Sequence, residues 1–204
     1  MCGLYYVNDD TAKEIEKLIR QVDEKVRKAE NIHLQAGDIH PSEAAPVIAA
    51  DHKGLCCRWQ RWGFPGFSGR QLIFNARSES ALEKKMFKES VEHRRVVVPA
   101  AWFYEWNKNK EKNIFYREEQ PVLYMAGFYN RYQNEDRFVI LTTAANESMK
   151  PVHDRMPLLL DRDEIKEWLF EDNLTENFLQ KMPALLERRA DFEQMSLFPV
   201  GNCK

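Results

Sequence analysis

The chain has 204 residues, 44% hydrophobic and 12% aromatic, with 30 Lys plus Arg against 32 Asp plus Glu and a net charge of −2. That length supports a core and one domain over 1–204; with no run near the ~18 apolar residues of a membrane helix and no basic, apolar leader, it predicts a soluble, intracellular protein with no membrane partner. Cys2, Cys56, Cys57 and Cys203 include no CxxC pair and no His at zinc-finger spacing, so neither a disulfide framework nor a metal site is expected.

In chain order, CGLYYV is short and apolar enough for a strand, which would tie the N-terminus into the fold. Asn8 to Thr11 read as turn and cap. Ile15, Leu18, Ile19, Val22 and Val26 then recur at the spacing of an amphipathic helix. Residues 31–46, with Gly37, Pro41 and Pro46, read as a loop entering a strand at VIAA. CCRWQRWGF is a strand by alternation, which sends Cys56 and Cys57 to opposite faces, one to the core and one to the surface. PGFSGR is a loop, LIFNA ends a strand, and ALEKKMFKESVEH is helical. RVVVPAAWFYEW is β-rich but interrupted by Pro99, which a sheet centre accepts poorly. NIFYR, VLYMAGFY and RFVILTTA are further strands, DRDEIKEWLFED a capped helix, ENFLQKMPALLER a weaker helix broken at Pro183, and FEQMSLFPV a final strand. Strands outnumber helices and follow one another without helical crossovers. The expected fold is α+β, mainly antiparallel sheet curled into a barrel-like form with flanking helices.

The near-zero charge hides an asymmetry. Residues 53–117 carry 14 basic against 6 acidic groups, net +8, while 1–52 are net −4 and 118–204 net −6. Arg58, Arg61, Arg70, Arg77, Arg94 and Arg95 make the middle third either a phosphate-facing surface or a solvated basic face.

Cys2 carries the sharpest chemistry. Once Met1 is removed it is a 1,2-aminothiol, whose amine condenses with an aldehyde and whose thiol then closes on the same carbon as a thiazolidine. Ordinary pKa values of about 7.7–8.0 for the amine and about 8.5 for the thiol leave free amine near neutrality. A Cys at this position also serves as a plain small residue. Glu105 lies among Trp102, Phe103, Tyr104 and Trp106, where an acid either pairs with a cation, titrates in a general-acid range, or simply alternates outward. His153, followed by Asp154 and Arg155, suits either a loop hydrogen bond or proton transfer. Asn75 and Arg77 stand at a strand end before a helix, where Asn can fix a backbone or ligand and Arg can fork onto phosphate; Ser78 or Ser80 as a helix cap explains part of the same motif.

MCG at the start, NARSE, RRVVVPAAWFYEW and TTAANESMKPVHDRMPLLL together resemble the SRAP family, the SOS-response-associated peptidases, in order and spacing. The resemblance implies a DNA-damage protein of bacterial, cytoplasmic type, nucleoid-associated when acting, which recognises abasic sites in single-stranded DNA. It implies that Cys2, freed by autoproteolytic loss of Met1, forms the thiazolidine with the sugar aldehyde. Asn75 would orient Cys2 and the ring-opened sugar, Glu105 would move protons, His153 would assist ring opening, and Arg77 would hold the flanking phosphate. No cofactor is implied, and a monomer is expected. The family commonly has Arg where this chain has Leu4. The segment DIHPSEAAPVI keeps Pro41 but is otherwise altered, and Phe67 stands at an expected base-stacking Trp, a role open to Phe as well. Two other readings of the residues are a thiol peptidase with Cys2 as nucleophile and His153 as base, and a noncovalent single-strand binder using the arginines with Trp59, Trp62 and Phe67.

Overall fold

The structure, a computed structural model, describes residues 2–20, 35–66 and 71–190. Two sheets organise it. The smaller runs in the order β15 (Glu187–Ala190), β10 (Lys112–Tyr116), β9 (Trp102–Trp106), β1 (Tyr5–Val7) and β2 (Gly37–Ile39), all antiparallel. The larger closes on itself as a five-strand ring, β12 (Glu135–Ala144), β4 (Gly54–Trp62), β3 (Ala44–Asp51), β8 (Arg95–Ala100) and β11 (Leu123–Tyr132), which returns to β12. β7 (Asn75–Arg77) and β13 (Arg155–Pro157) add to β12, and β14 (Leu159–Leu160) adds to β11. β5 (Phe64–Pro65) and β6 (Leu72–Ile73) form a small hairpin. Pairing is antiparallel except where β12 meets β4 and β7.

The barrel strands bury both faces. Along β8, Val96, Val98 and Ala100 join one cluster with Val47, Ala49, Met125, Phe138 and Ile140, while Val97 joins a second with Ile48, Ala126, Val139 and Leu141. The period-two alternation of a strand divides the residues in this way, and the run RVVVPA can be continuously apolar because neither face is wet. Helices α1 (Asp9–Arg20), α2 (Lys88–His93), α3 (Glu164–Phe170) and α4 (Thr175–Leu179) cover the second face, contributing Ile15, Leu18, Val91, Trp168 and Phe178. Arg95 is buried beneath them and donates to the carbonyls of Val91 and Trp168 and to Asp172.

Several elements differ from the sequence expectation. The helix after β1 starts at Asp9, and Asn8 is its cap: Oδ1 accepts from the Thr11 amide at 2.9 Å while Thr11 Oγ1 accepts from the Asn8 amide. Val22 and Val26 lie outside the described residues. β2 occupies part of the expected 31–46 loop. The helix over 81–93 contracts to Lys88–His93, preceded by a 3-10 turn at Ser78–Ser80. Pro99 lies within β8, beyond the Val96–Val97 portion paired with β3, so the missing amide disturbs only a strand end. No side chain of Asp163 caps α3; the Glu164 carboxylate instead accepts from the Asp161 amide at 2.7 Å. The weaker helix expected over ENFLQKMPALLER ends at Leu179, before the break read at Pro183, and the chain then returns as edge strand β15; FEQMSLFPV lies outside the described residues. Cys56 and Cys57 do face opposite clusters, yet both are half-buried, because both faces are covered. Among the described residues no helix is long and apolar enough to cross a membrane.

Gly127 sits at the barrel closure, where β11 crosses β12, and a Cβ there would meet the Val139 carbonyl oxygen at 2.5 Å. Gly127→Ala is expected to cost about 1–3 kcal/mol in urea unfolding. Gly37→Ala, which meets nothing within 4 Å, is expected to stay within about 0.5 kcal/mol of the parent. Equal effects would contradict the closure.

Candidate active site around Cys2

Cys2 is brought into the interior by the strand that follows it. β1 is an inner strand, paired on one side with β2 and on the other with β9, and Tyr5 and Val7 are fully buried. Residues 2–4 leave the regular strand, so Leu4 packs with Tyr104 and Ile114 on one face of the small sheet while Cys2 turns into the main cluster on the other. Cys2 is 1% exposed. Its Sγ lies 3.7 Å from the Leu4 carbonyl oxygen, which also accepts from the Tyr104 amide at 3.0 Å.

Asn75 reaches Cys2 from the barrel. β7 runs parallel to β12 with Asn75 opposite Ile140, and Asn75 Nδ2 donates to the Cys2 carbonyl at 2.7 Å. Asn75 Oδ1 is buried without a partner among the described residues. Trp62 sets this approach. Its indole Nε1 donates to the Phe74 carbonyl at 2.8 Å, and its ring lies 5.1 Å from Tyr5 and stacks on Phe138 at 6.2 Å. One buried side chain thus locks the ends of β4 and β1 to the residue before Asn75. That burial removes Trp62 from the surface role given it above; Trp59, 55% exposed, remains outside.

Glu105 approaches from β9. It shares a face with Phe103, hence with Cys2, and is 3% exposed, which overturns the outward alternative. Its Oε2 accepts from the Trp106 amide at 3.3 Å. Burial, and then the Glu105 carboxylate, push the Cys2 thiol up to about 12. Tyr5 is a third buried group beside the thiol. Its hydroxyl has no hydrogen-bond partner among the described residues, and burial followed by the charge on Cys2 raises its pKa well above the ordinary phenol range. Nothing in YYV singled it out beyond the alternation that turns one tyrosine inward.

His153 lies on the turn between β12 and β13, whose Met149 and Val152 share the cluster of Cys2. Its Nδ1 accepts from the Arg155 amide at 2.9 Å and lies 2.9 Å from Asp154 Oδ1. These contacts require opposite protonation of Nδ1. Asp154 is 88% exposed and solvated, so the amide bond is taken as the structural one, and it puts the neutral ring's proton on Nε2. Arg155 forks onto Glu79 at 2.6 and 2.8 Å and holds the Glu79 carboxyl below its usual range. This clamp ties β13 to the turn after Arg77 and could not be paired from sequence across 76 residues.

The other expected contacts spread outward. Arg77 is exposed, two residues along β7 from Asn75 and on the same side. Pro41 and Ser42 form the corner of a turn closed by the Glu43 amide on the His40 carbonyl at 3.1 Å, with Ser42 at φ 75. Arg61 donates to Glu135 and to the Ser42 carbonyl, both at 2.6 Å, and Arg58 lies 3.5 Å from the Tyr129 hydroxyl. Phe67 and Arg70 lie outside the described residues. A cavity of about 260 Å³, lined by Trp102, Ile114, Tyr116 and Arg189 among others, opens on the opposite face of the small sheet. Cys2, Asn75, Glu105 and His153 do not line it. Cys2 and the buried acid Glu105 lie on the other face of that sheet. Among the described residues no cluster of His, Cys, Asp or Glu could hold a metal.

Three comparisons bear on the chain. The model of the family described as SOS response associated peptidase (SRAP) matches residues 1–203. Abasic site processing protein YoaM of Bacillus subtilis is 30% identical over 89% of this chain and 85% of its own; YoqW of the same organism is 28% identical over 89% and 86%. Among solved structures, a Bacteroides thetaiotaomicron protein superposes with a TM-score of 0.75 at 21% identity, covering 93% of this chain and 91% of that one. At that identity the likeness speaks to fold, and it agrees with the α+β barrel.

A thiol with a pKa of about 12, against an ordinary 9.0, has a thiolate fraction about 10³-fold smaller near neutrality. Cys2 in the folded, Met1-bearing chain is therefore expected to resist iodoacetamide at pH 8 while alkylating readily in urea. Glu105→Gln, which removes a charge that raises the pKa, should move the folded-state alkylation profile to lower pH. An unchanged profile in peptide mass spectra would remove Glu105 from the thiol's surroundings.

Proposed function

The chain belongs to the SOS response associated peptidase (SRAP) family, and on that premise we propose that it captures abasic sites in single-stranded DNA as a covalent thiazolidine at Cys2. One observation carries the reading: Asn75 holds the Cys2 carbonyl at 2.7 Å while Glu105 is buried against the thiol. Relatives of this chain in Bacillus subtilis and Xenopus tropicalis are named abasic site processing proteins, which supports the substrate class.

The chemistry follows from what Cys2 becomes. Hydrolysis of the Met1–Cys2 bond frees an amine two carbons from Sγ, and the ammonium form of that amine favours the neighbouring thiolate. The neutral amine adds to the aldehyde carbon of the ring-opened sugar, and water leaves to give an imine. Sγ then adds to the imine carbon, forming the S–C bond as the thiol proton passes to nitrogen. In this reading Glu105 relays these protons and His153 assists opening of the sugar ring. Asn75 orients Cys2. Arg77 holds the flanking phosphate, with Arg58, Arg61 and Arg70 as further phosphate contacts and Pro41 and Phe67 against the bases. Cys2 is 1% exposed, so an abasic sugar must swing away from its neighbouring nucleotides to reach it, and single-stranded DNA meets that need at least cost. The protein acts in this reading as a cytoplasmic monomer.

A turnover thiol peptidase fits less well, because a nucleophile that must first be freed by loss of the residue before it suits a single self-cleavage better than repeated cleavage of other chains. A noncovalent single-strand binder is separated by boiling in detergent. Protein shown by mass to lack Met1, incubated with an oligonucleotide bearing one abasic site, is expected to give a detergent-stable band shift. The shift should be lost in Cys2→Ala and with intact DNA, and slowed roughly 10²–10⁴-fold in Glu105→Gln. No shift with wild type would overturn the proposal.

A further inference from the structure

We propose that Tyr5 is a positioning residue for thiazolidine closure, its buried hydroxyl donating a hydrogen bond to the Cys2 sulfur as that sulfur gives up its proton. The inference rests on the reading of Cys2 given above and deepens it by adding a group that acts on the second bond-forming step alone.

Strand pairing brings the phenol to the face that holds Cys2. Tyr5 stands across from Phe103, and the ladder continues toward the chain start, where the Tyr104 amide donates to the Leu4 carbonyl at 3.0 Å. Glu105, two residues beyond Phe103 on the same face of β9, is therefore a diagonal neighbour of Tyr5, at a backbone separation of about 7–8 Å that an aromatic side chain spans. Cys2 packs into the same cluster as Tyr5 and Phe103. The titratable groups that face the phenol are Cys2 and Glu43, and after burial their charges raise its pKa further. The Tyr5 side chain is 0% exposed and lies against Trp62 with ring centroids 5.1 Å apart, yet its hydroxyl has no hydrogen-bond partner among the described residues. A buried phenol left unpaired costs stability and calls for a reason. A sulfur that turns anionic on the same face supplies one.

The closing step is the one that needs a donor there. In the Met1-bearing chain the thiol donates to the Leu4 carbonyl, 3.7 Å from Sγ. When Sγ adds to the imine carbon, the S–C bond forms, the C=N π pair moves to nitrogen, and the thiol proton follows it. Sulfur carries negative charge in passing, and both the Leu4 carbonyl and the Glu105 carboxylate oppose that charge. Asn75 Nδ2 is engaged on the Cys2 carbonyl and the Trp62 indole on the Phe74 carbonyl. The Tyr5 O–H is an uncommitted donor in the same cluster, and with a pKa well above the ordinary phenol range it keeps its proton while donating. Imine formation takes place at nitrogen and does not use it. Tyr6, next in the chain, turns to the opposite face of the sheet and stacks on Trp102 at 4.2 Å.

The test uses Met1-free wild type, Tyr5→Phe, which deletes the hydroxyl and keeps the ring, and Tyr6→Phe. In single turnover on a single-stranded oligonucleotide bearing one abasic site, the borohydride-trapped imine and the borohydride-resistant, thiol-consuming link are followed separately. Tyr5→Phe is expected to form the imine at the wild-type rate and to close it at least about tenfold more slowly, so that trappable imine accumulates. Without DNA, its Cys2 alkylation profile with iodoacetamide should move up by about one pH unit, since losing a donor to the thiolate raises the thiol pKa. Its melting temperature should equal or exceed that of wild type, because an unpaired buried hydroxyl has been removed. Tyr6→Phe should match wild type in both rates and in the profile. Closure at the wild-type rate in Tyr5→Phe, equal slowing of both steps, or an unmoved alkylation profile would each overturn the inference. Failure of wild type to crosslink would count against the Cys2 reading instead, and the alkylation profile, which needs no DNA, would still decide the role of Tyr5.

Discussion

The position of Cys2 depends on β1 being an inner strand. Three residues of backbone, Tyr5 to Val7, are hydrogen-bonded on both edges and buried on one face against the barrel cluster. A chain start usually frays because it has few partners; here leaving the sheet would expose Tyr5 and Val7 and strip β2 and β9 of their neighbour. The proposed aminothiol chemistry needs that constraint. Amine and thiol are flexible by themselves, and they can be aimed at a carbon only if the residue carrying them is held within a few tenths of an ångström.

Trp62 extends the same constraint into the barrel. Its indole bonds the Phe74 carbonyl, and its ring faces Tyr5 and Phe138, so the end of β4, the entry to β7 and the first strand move as one unit. Asn75 follows Phe74 and inherits its place. Arg155 makes the matching tie on the far side by forking onto Glu79 beyond Arg77. The groups that meet at Cys2 therefore come from β1, β7 and β9, each braced by an element that carries no chemistry itself. The thiol is protected by the same arrangement, since burial and the nearby carboxylate keep it protonated.

Much of this was legible in the residues. Alternation and β-branched runs located the longer strands of both sheets but not β2, β13, β14 or β15, and the apolar start of the chain marked the N-terminus as tied down. Cys2, Asn75, Glu105 and Arg77 stood out as polar groups at strand ends or among aromatics, and the ordered motifs carried the family likeness. What was hidden is mainly long-range. The Trp62 indole bond, the Arg155–Glu79 fork and the parallel pairing of β7 with β12 join segments distant in sequence, for which one chain holds no covariation. Trp62 was misread as a surface aromatic because alternation says which residues share a face but not which face is covered. Pro99 was misread as a break because its tolerance depends on where its neighbour strand ends. The helix expected over 81–93 shortened because turns at 78–87 carry the chain from β7 to α2.

The central claim is that amine and thiol of Cys2 close on one carbon. The most direct test is to digest the detergent-stable adduct, map the peptide that carries the sugar, and compare its yield with and without borohydride during the reaction. The account predicts the sugar on the peptide beginning at Cys2, with the Cys2 thiol no longer alkylatable and a mature link that borohydride neither traps nor alters. A sugar found on a lysine, or a link on Cys2 that survives only when reduced and leaves the thiol free, would contradict it.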